Sequence, residues 1–209
     1  INSKVHTIYG DDAIHISKSL RSKVGDIIIL CDNNGVDHEC QIMSISKNSV
    51  EVSVINSVLC NNEPSVFVTL YQALPKADKM DLIVKKCVEL GICEIVPVIT
   101  KRCIPSFDNK SFEKKKQRLQ KISTEAAKQS KRGKIPKIRD LISLDDAIKE
   151  IKSFDASLLL YEGGGDNIKN LISNSVNKIA IFVGPEGGFE DFEVKNIINS
   201  GAKLTSLGP

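Results

Sequence analysis

Apolar and polar positions alternate in short runs through roughly the first sixty residues and then settle into longer blocks. That change of rhythm divides the chain. From residue 5 to about 58 the pattern predicts short strands and turns. Lys23, Val24, Gly25 and Asp26 form a turn, 27–31 a strand, and Asp32, Asn33, Asn34 and Gly35 a hairpin-type connection, followed by alternating runs to 55. Together these predict a small β-barrel. The polar group Asn61, Asn62, Glu63 and Pro64 breaks the pattern, which places a domain boundary after residue 63. Beyond it strands are expected at 66–74, 94–100, 156–161, 179–183 and 203–207. Helices are expected at 78–90, 111–131, 145–152, 167–176 and 190–200. Strand-helix alternation implies a mainly parallel, covered sheet. The expected organisation is therefore a β domain at 1–63 and an α/β domain at 64–209.

The helix at 78–90 shows what the periodicity carries. Met80, Ile83, Val84, Cys87 and Val88 repeat at i, i+3, i+4, i+7 and i+8, with Asp78 placed to cap the start and Gly91 to end it. This is a core stripe, and its residues carry no functional message.

Composition narrows the classes. The 209 residues hold 29 basic and 26 acidic side chains, a net charge of +3 that is too small by itself to identify a polyanionic partner. Cys31, Cys40, Cys60, Cys87, Cys93 and Cys103 form no Cys-x-x-Cys pair and have no histidine at a spacing that suggests a zinc site, so reduced thiols in a cytoplasmic protein are expected, with no metal. No stretch approaches the roughly 20 apolar residues of a membrane span, and no membrane association is expected. The chain opens on Ile1 and its last strand is followed by no further element, so residues beyond both ends are expected.

The chemistry is concentrated where strands end. Residues 178–183 run into Gly184, Pro185, Glu186, Gly187, Gly188 and Phe189, and a second Gly-Pro pair, Gly208 and Pro209, follows Ser206 and Leu207. A third such end is Leu160, Tyr161 and Glu162 before Gly163, Gly164 and Gly165. Ligands of an open parallel sheet sit at the carboxyl ends of its strands. There is no Gly-x-x-x-x-Gly-Lys-Ser/Thr and no Gly-x-Gly-x-x-Gly, which disfavours a triphosphate or dinucleotide. Leu160, Tyr161, Glu162, Val183 through Gly188, and Ser206 through Pro209 would together offer backbone donors and acceptors over an apolar floor, a setting that suits adenine and ribose. Taken singly, each loop is also ordinary glycine and proline punctuation.

Basic residues gather on the long helix and just beyond it: Lys114, Lys115, Lys116, Arg118, Lys121, Lys128, Lys131, Arg132 and Lys134, with Leu119, Ile122 and Ala126 on the apolar side. Such a face can follow a phosphate backbone, or can simply be solvated.

With these residues in hand, the paired Gly-Pro loops resemble the signature of the RsmE-type 16S ribosomal RNA (uracil-N3)-methyltransferases, members of the SPOUT or α/β-knot class. Further matching blocks run the length of the chain: His15, Leu20-Arg21, Val24-Gly25-Asp26, Lys76, Asp78 to Asp81, Lys86, Glu89-Leu90-Gly91, Glu94 to Pro97, Arg102, Glu125-Ala126-Ala127, Gln129-Ser130 and Arg132. The resemblance implies an N-terminal PUA-like RNA-binding barrel and a C-terminal trefoil-knotted SPOUT α/β domain. It also implies S-adenosyl-L-methionine as methyl donor, 16S ribosomal RNA or the small ribosomal subunit as substrate, and a homodimer. Arg102, Gln129 and Arg132 are then expected to position the uridine, and Arg21, Lys76, Arg102, Lys128, Lys131 and Arg132 to contact RNA. Methyl transfer to the imide nitrogen needs alignment and loss of the N3 proton. The three histidines, His6, His15 and His38, all fall in the expected barrel, so the base stays unassigned.

Two departures stand out. Glu190 and Asp191 occupy the place after Phe189 where the family commonly has a hydroxyl residue, and the family continues past Gly-Pro with an Arg-rich stretch and a terminal helix that this sequence lacks. Competing expectations are a non-catalytic RNA-binding or ribosome-assembly module, and a knotted methyltransferase acting on ribose 2′-oxygen or on transfer RNA.

Overall fold

A computed structural model describes residues 5–103, 109–173 and 175–206. Its contacts divide the chain into two compact units, Ile1–Glu63 with Arg132–Lys134, and Pro64–Lys131 with Ile135–Pro209.

The first unit begins with β1 (Val5–Tyr9), α1 (Gly10–Ile14) and a π-helical turn at His15–Ser19. Three more strands follow, β2 (Ile27–Cys31), β3 (Val36–Ile45) and β4 (Ser49–Leu59). The described strands make an antiparallel sheet in the order β1-β4-β3-β2. Asp32 shapes the β2–β3 connection, its Oδ1 accepting the N–H of Asn34 at 2.7 Å and of Val36 at 3.1 Å. Cys40, Ile42, Val50 and Val52 are buried from the sheet, and Ala13 and Ile16 pack on them from the helical segment. That segment departs from the strands and turns expected here. It offers only two buried apolar positions, too few to register as a 3.6-residue period.

The second unit opens with β5 (Phe67–Ala73), α2 (Lys79–Glu89), β6 (Glu94–Ile99) and α3 (Asn109–Gln129). Two short strands, β7 (Lys137–Ile138) and β8 (Ile142–Ser143), lead into α4 (Leu144–Glu150) and β9 (Ala156–Leu160). The chain then forms β10 (Asp166–Asn167), α5 (Ile168–Leu171), β11 (Lys178–Val183), α6 (Asp191–Asn199) and β12 (Lys203–Ser206). The sheet order is β10-β12-β9-β11-β5-β6-β7, with β8 also on β6, and every pairing among the described residues is parallel.

Neighbouring positions on the strands feed opposite cores, as the two-residue period of a strand requires. Leu70 and Ile95 join Met80, Val84, Val88, Phe112 and Leu119 of α2 and α3. Tyr71, Val96, Leu159 and Phe182 join Ala147, Val194 and Ile197 of α4 and α6 on the other side. The expected stripe of α2 is observed, and Gly91, at φ +102°, ends the helix, its N–H reaching Val88 O at 3.1 Å. The expected cap is not: the Asp78 side chain makes no capping bond and lies 3.4 Å from Arg118 instead. α5 is shorter than the helix expected at 167–176, because Ile172 has already left helical geometry. Among the described residues no helix is long and apolar enough to cross a membrane.

Candidate active site

The sheet register aligns three strand ends. Val183 of β11 pairs with Leu160 of β9, and Leu160 pairs with Thr205 of β12. With neighbouring strands about 4.8 Å apart, the three ends lie within about 10 Å of one another on one edge of the sheet. The loops singled out in the sequence therefore leave from one place.

The central loop is built from both sides. Phe182 and Phe189 are buried in the same core cluster, so the residues between them arch out of the sheet with both feet anchored. Within the arch the Gly188 N–H closes a turn onto Pro185 O at 2.8 Å. A Cβ on Gly184 would come within 3.1 Å of the Gly188 backbone, so the arch closes this tightly only with glycine there. Gln72, a buried residue of β5, donates from Nε2 to Ala73 O at 2.9 Å and to Gly184 O at 3.3 Å. Nothing in the strand pattern marks Gln72. A glutamine with 4 % exposure in a central strand is the one signal of its role.

Glu186 is tied back as well. Its carboxylate accepts the Lys76 N–H at 3.2 Å and pairs with Lys79 Nζ at 2.8 Å. The Lys79 ammonium, with backbone N–H donors, pulls the Glu186 carboxyl down to about 2. Arg102, just past β6, donates from Nε to Glu190 Oε1 at 3.0 Å, from Nη2 to Glu190 Oε2 at 3.2 Å and from Nη1 to Gly187 O at 2.5 Å. Buried Glu193 accepts the Lys101 N–H at 2.8 Å and the Glu190 N–H at 2.9 Å.

The loop after β9 packs against the last strand. A Cβ on Gly165 would meet the Thr205 backbone nitrogen at 2.7 Å, and Gly165 has φ +150°, so no side chain fits. The Glu162 carboxylate reaches 3.7 Å from the Cβ position of Gly188, which brings the first and second loops together. Leu160, Tyr161, Val183 and Ser206 are half-buried around this edge, while Leu207, Gly208 and Pro209 lie outside the described residues. The set offers amide groups, a carboxylate and apolar walls, and it fits a neutral adenosyl group better than a phosphate chain. Among the described residues, only the Arg102 side chain comes within 4 Å of a Cβ placed on Gly187, at 3.5 Å.

Comparison with known proteins agrees with this geometry. Residues 61–209 match the family described as RNA methyltransferase domain, and residues 8–55 match the RNA methyltransferase PUA domain. Ribosomal RNA small subunit methyltransferase E of Bacillus subtilis strain 168 is 32% identical over 97% of this chain and 82% of its own length. The chain belongs to the ribosomal RNA small subunit methyltransferase E family. The protein of that name from Rickettsia conorii is 34% identical over 99% of this chain and 83% of its own length. The crystal structure of ribosomal RNA small subunit methyltransferase E from Neisseria gonorrhoeae, bound to S-adenosyl methionine, superimposes with a TM-score of 0.87 at 27% identity, covering 99% of this chain and 85% of that one.

Against the methyltransferase E frame, the residues expected to meet RNA separate. Lys76, Arg102, Lys128, Gln129 and Lys131 belong to the second unit and are exposed. Arg21 is exposed in the first unit, at φ +54°. Arg132 also belongs to the first unit, where its side chain is 3 % exposed and pairs with Glu63 at 2.8 Å. The basic face of α3 is partly neutralised: Lys116 pairs with Asp140, Arg118 with Asp81, and Lys128 approaches Glu125 at 3.9 Å. Among the described residues no group of three or more His, Cys, Asp or Glu is placed to hold a metal.

Proposed function

We propose that this protein transfers a methyl group from S-adenosyl-L-methionine to N3 of a uridine in 16S ribosomal RNA, in the cytoplasm, as a homodimer whose second unit is a trefoil-knotted SPOUT domain. The observation that carries the proposal is the alignment of Leu160, Val183 and Thr205, which sends three glycine-bearing loops from one sheet edge. Family membership and the relative crystallised with S-adenosyl methionine support the cofactor. The strand order β12-β9-β11, in which the last strand returns past its neighbour, supports the knot.

Leu160, Tyr161, Glu162, the residues from Val183 to Gly188, and Ser206 to Pro209 would hold the cofactor. When bound, it supplies an electrophilic methyl group whose sulfur leaves neutral. The chain's own task is then alignment, and holding two reactants in line contributes several powers of ten. The arch provides this by being fixed before the ligand arrives, through Gln72, Lys79 and the buried Phe182 and Phe189. Glu162, whose carboxylate lies 3.7 Å from the Cβ position of Gly188, would accept hydrogen bonds from ribose hydroxyls. Residues 64–209 contain no histidine, so none of them offers an imidazole to take the N3 proton. Gln129, Lys76, Lys128, Lys131 and Arg21 would contact the RNA.

Calorimetric titration tests the cofactor step. Saturable binding of S-adenosyl-L-methionine is expected for the wild type and its loss for Gly187→Val, which sets a branched side chain into the arch against Arg102. No saturable binding by the wild type, or identical binding by both, would overturn the proposal. Small subunits from cells lacking the gene, treated with the protein, should gain a methylated uridine by nucleoside mass mapping. Light scattering checks the dimer.

A further inference from the structure

Arg102 is placed by sequence resemblance among the residues that hold uridine, but its surroundings point elsewhere. Three of its N–H groups are already engaged, two with the Glu190 carboxylate and one with Gly187 O. Gly187 sits in the turn closed by Gly188, and Glu190 immediately precedes α6. One planar guanidinium thus ties the crest of the arch to the start of the helix that follows. The same strand end adds a further hold, because the Lys101 N–H and the Glu190 N–H share the carboxylate of Glu193, which is 3 % exposed. A lysine could not reproduce this, since an ammonium lacks the fork that meets a carboxylate with two parallel bonds and a carbonyl with a third.

We propose that Arg102 is a positioning residue for the cofactor: together with Glu190 it holds the Gly187 carbonyl and sets the backbone of the 185–189 turn for the adenosyl group, rather than gripping the uridine. This rests on reading that turn as the cofactor loop. The Arg102 side chain is 43 % exposed and Glu190 37 %, so removing either leaves no buried charge and the fold should survive. What changes is the conformation of the turn, and with it the affinity for S-adenosyl-L-methionine.

The test is a double-mutant cycle on the intact protein, with Arg102→Ala, Glu190→Ala and the double variant titrated calorimetrically with S-adenosyl-L-methionine, and KM for cofactor and for small subunits measured separately. Each single variant should bind the cofactor roughly tenfold more weakly, and the double variant no more weakly than either single one, since the two residues act as one clamp. KM for cofactor should rise while KM for the ribosomal substrate stays put. Arg102→Lys should recover only part of the affinity. Glu190→Ser separates clamping from helix capping, because serine caps a helix well but cannot meet the guanidinium with two oxygens. It should keep the melting temperature and still lose cofactor affinity.

Normal cofactor binding by Arg102→Ala together with a raised KM for the ribosomal substrate would overturn the proposal and return Arg102 to the RNA surface. Additive losses in the double variant, or full recovery by Glu190→Ser, would also overturn it. So would lowered melting temperatures with unchanged cofactor affinity. If the wild type itself shows no saturable binding, the cofactor reading falls and this inference falls with it, whereas a wild type that binds with variants that match it defeats the inference alone.

Discussion

At the scale of single residues, much of what shapes the site is polar and buried, and it leaves little trace in a hydropathy pattern. Gln72 occupies a strand position that any apolar residue would fill, and its bonds to Ala73 O and Gly184 O explain an amide there. Thr69 is the opposite case. It is fully buried in β5, and its Oγ1 finds no partner among the described residues. An unsatisfied buried hydroxyl costs about 1 kcal/mol or more, so Thr69→Val should raise stability by about that amount, read as a higher midpoint in urea. Glu186 supplies a pH signature. Its carboxyl is pulled from 4.5 down to about 2 by the Lys79 ammonium and backbone donors. It therefore stays ionised in the folded state while the unfolded chain takes up a proton. The stabilisation is complete above about pH 4.5 and is lost as pH falls toward 2. Lys79→Met should lower the melting temperature at pH 6, and its difference from wild type should shrink steadily as pH drops through that window.

Among the secondary-structure elements, strong periodicity and marked ends made α2, α3, α6 and the long parallel strands readable from the sequence. The apolar stripe from Met80 to Val88 and the stop at Gly91 are both observed. Short elements were not readable. The segment from Gly10 to Ser19 is helical where strands and turns were expected, and β7, β8 and β10, of two residues each, exist only because a neighbouring strand offers an edge to pair with. Capping was read in one place and found in others: Ser143 caps α4 by accepting the Asp146 N–H at 3.1 Å, while Asp78 serves Arg118. The end of α3 carries strain that a sequence pattern does not reveal. Lys131 sits at φ +53° after the helix, a left-handed conformation that costs a residue with a Cβ about 1 kcal/mol. Lys131→Gly should stabilise the protein by about that much in thermal denaturation. If Lys131 touches RNA as proposed, the same variant should bind RNA more weakly, so stability and binding move in opposite directions.

For the whole molecule, the chain boundary and the contact boundary differ. The polar group at 61–64 marks where the first unit's strands end, but Arg132, Gly133 and Lys134 pack with that unit too. Gly133 O accepts the Gly35 N–H at 3.0 Å and the Cys31 thiol at 3.0 Å, and a Cβ on Gly133 would meet Cys60 Cβ at 2.5 Å. Glu63 takes Arg132 Nε at 3.1 Å, Arg132 Nη2 at 2.8 Å and the Lys134 N–H at 3.0 Å. Burial raises the Glu63 carboxyl, but Arg132 and the backbone donors outweigh it and hold it below its ordinary value. Arg132→Met should therefore destabilise the protein by about 2 kcal/mol in chemical denaturation, because it removes a charged partner from a half-buried carboxylate. Adding Glu63→Gln should recover part of the loss. An unchanged midpoint in Arg132→Met would show that the pair contributes nothing to the fold.

The sequence by itself determined the two-part organisation, the parallel α/β character of the second part and the loops that end its strands. Local backbone preference and apolar periodicity act between neighbours along the chain, and those features need nothing more. Only the tertiary structure decided that β9, β11 and β12 lie side by side and bring their loops together, that Arg102 turns onto Glu190 and Gly187, and that Arg132 is buried against Glu63. Those outcomes depend on register and, for the two arginines, on partners 69 to 88 positions away in the chain, where sequence pattern holds no information until the sheet has formed.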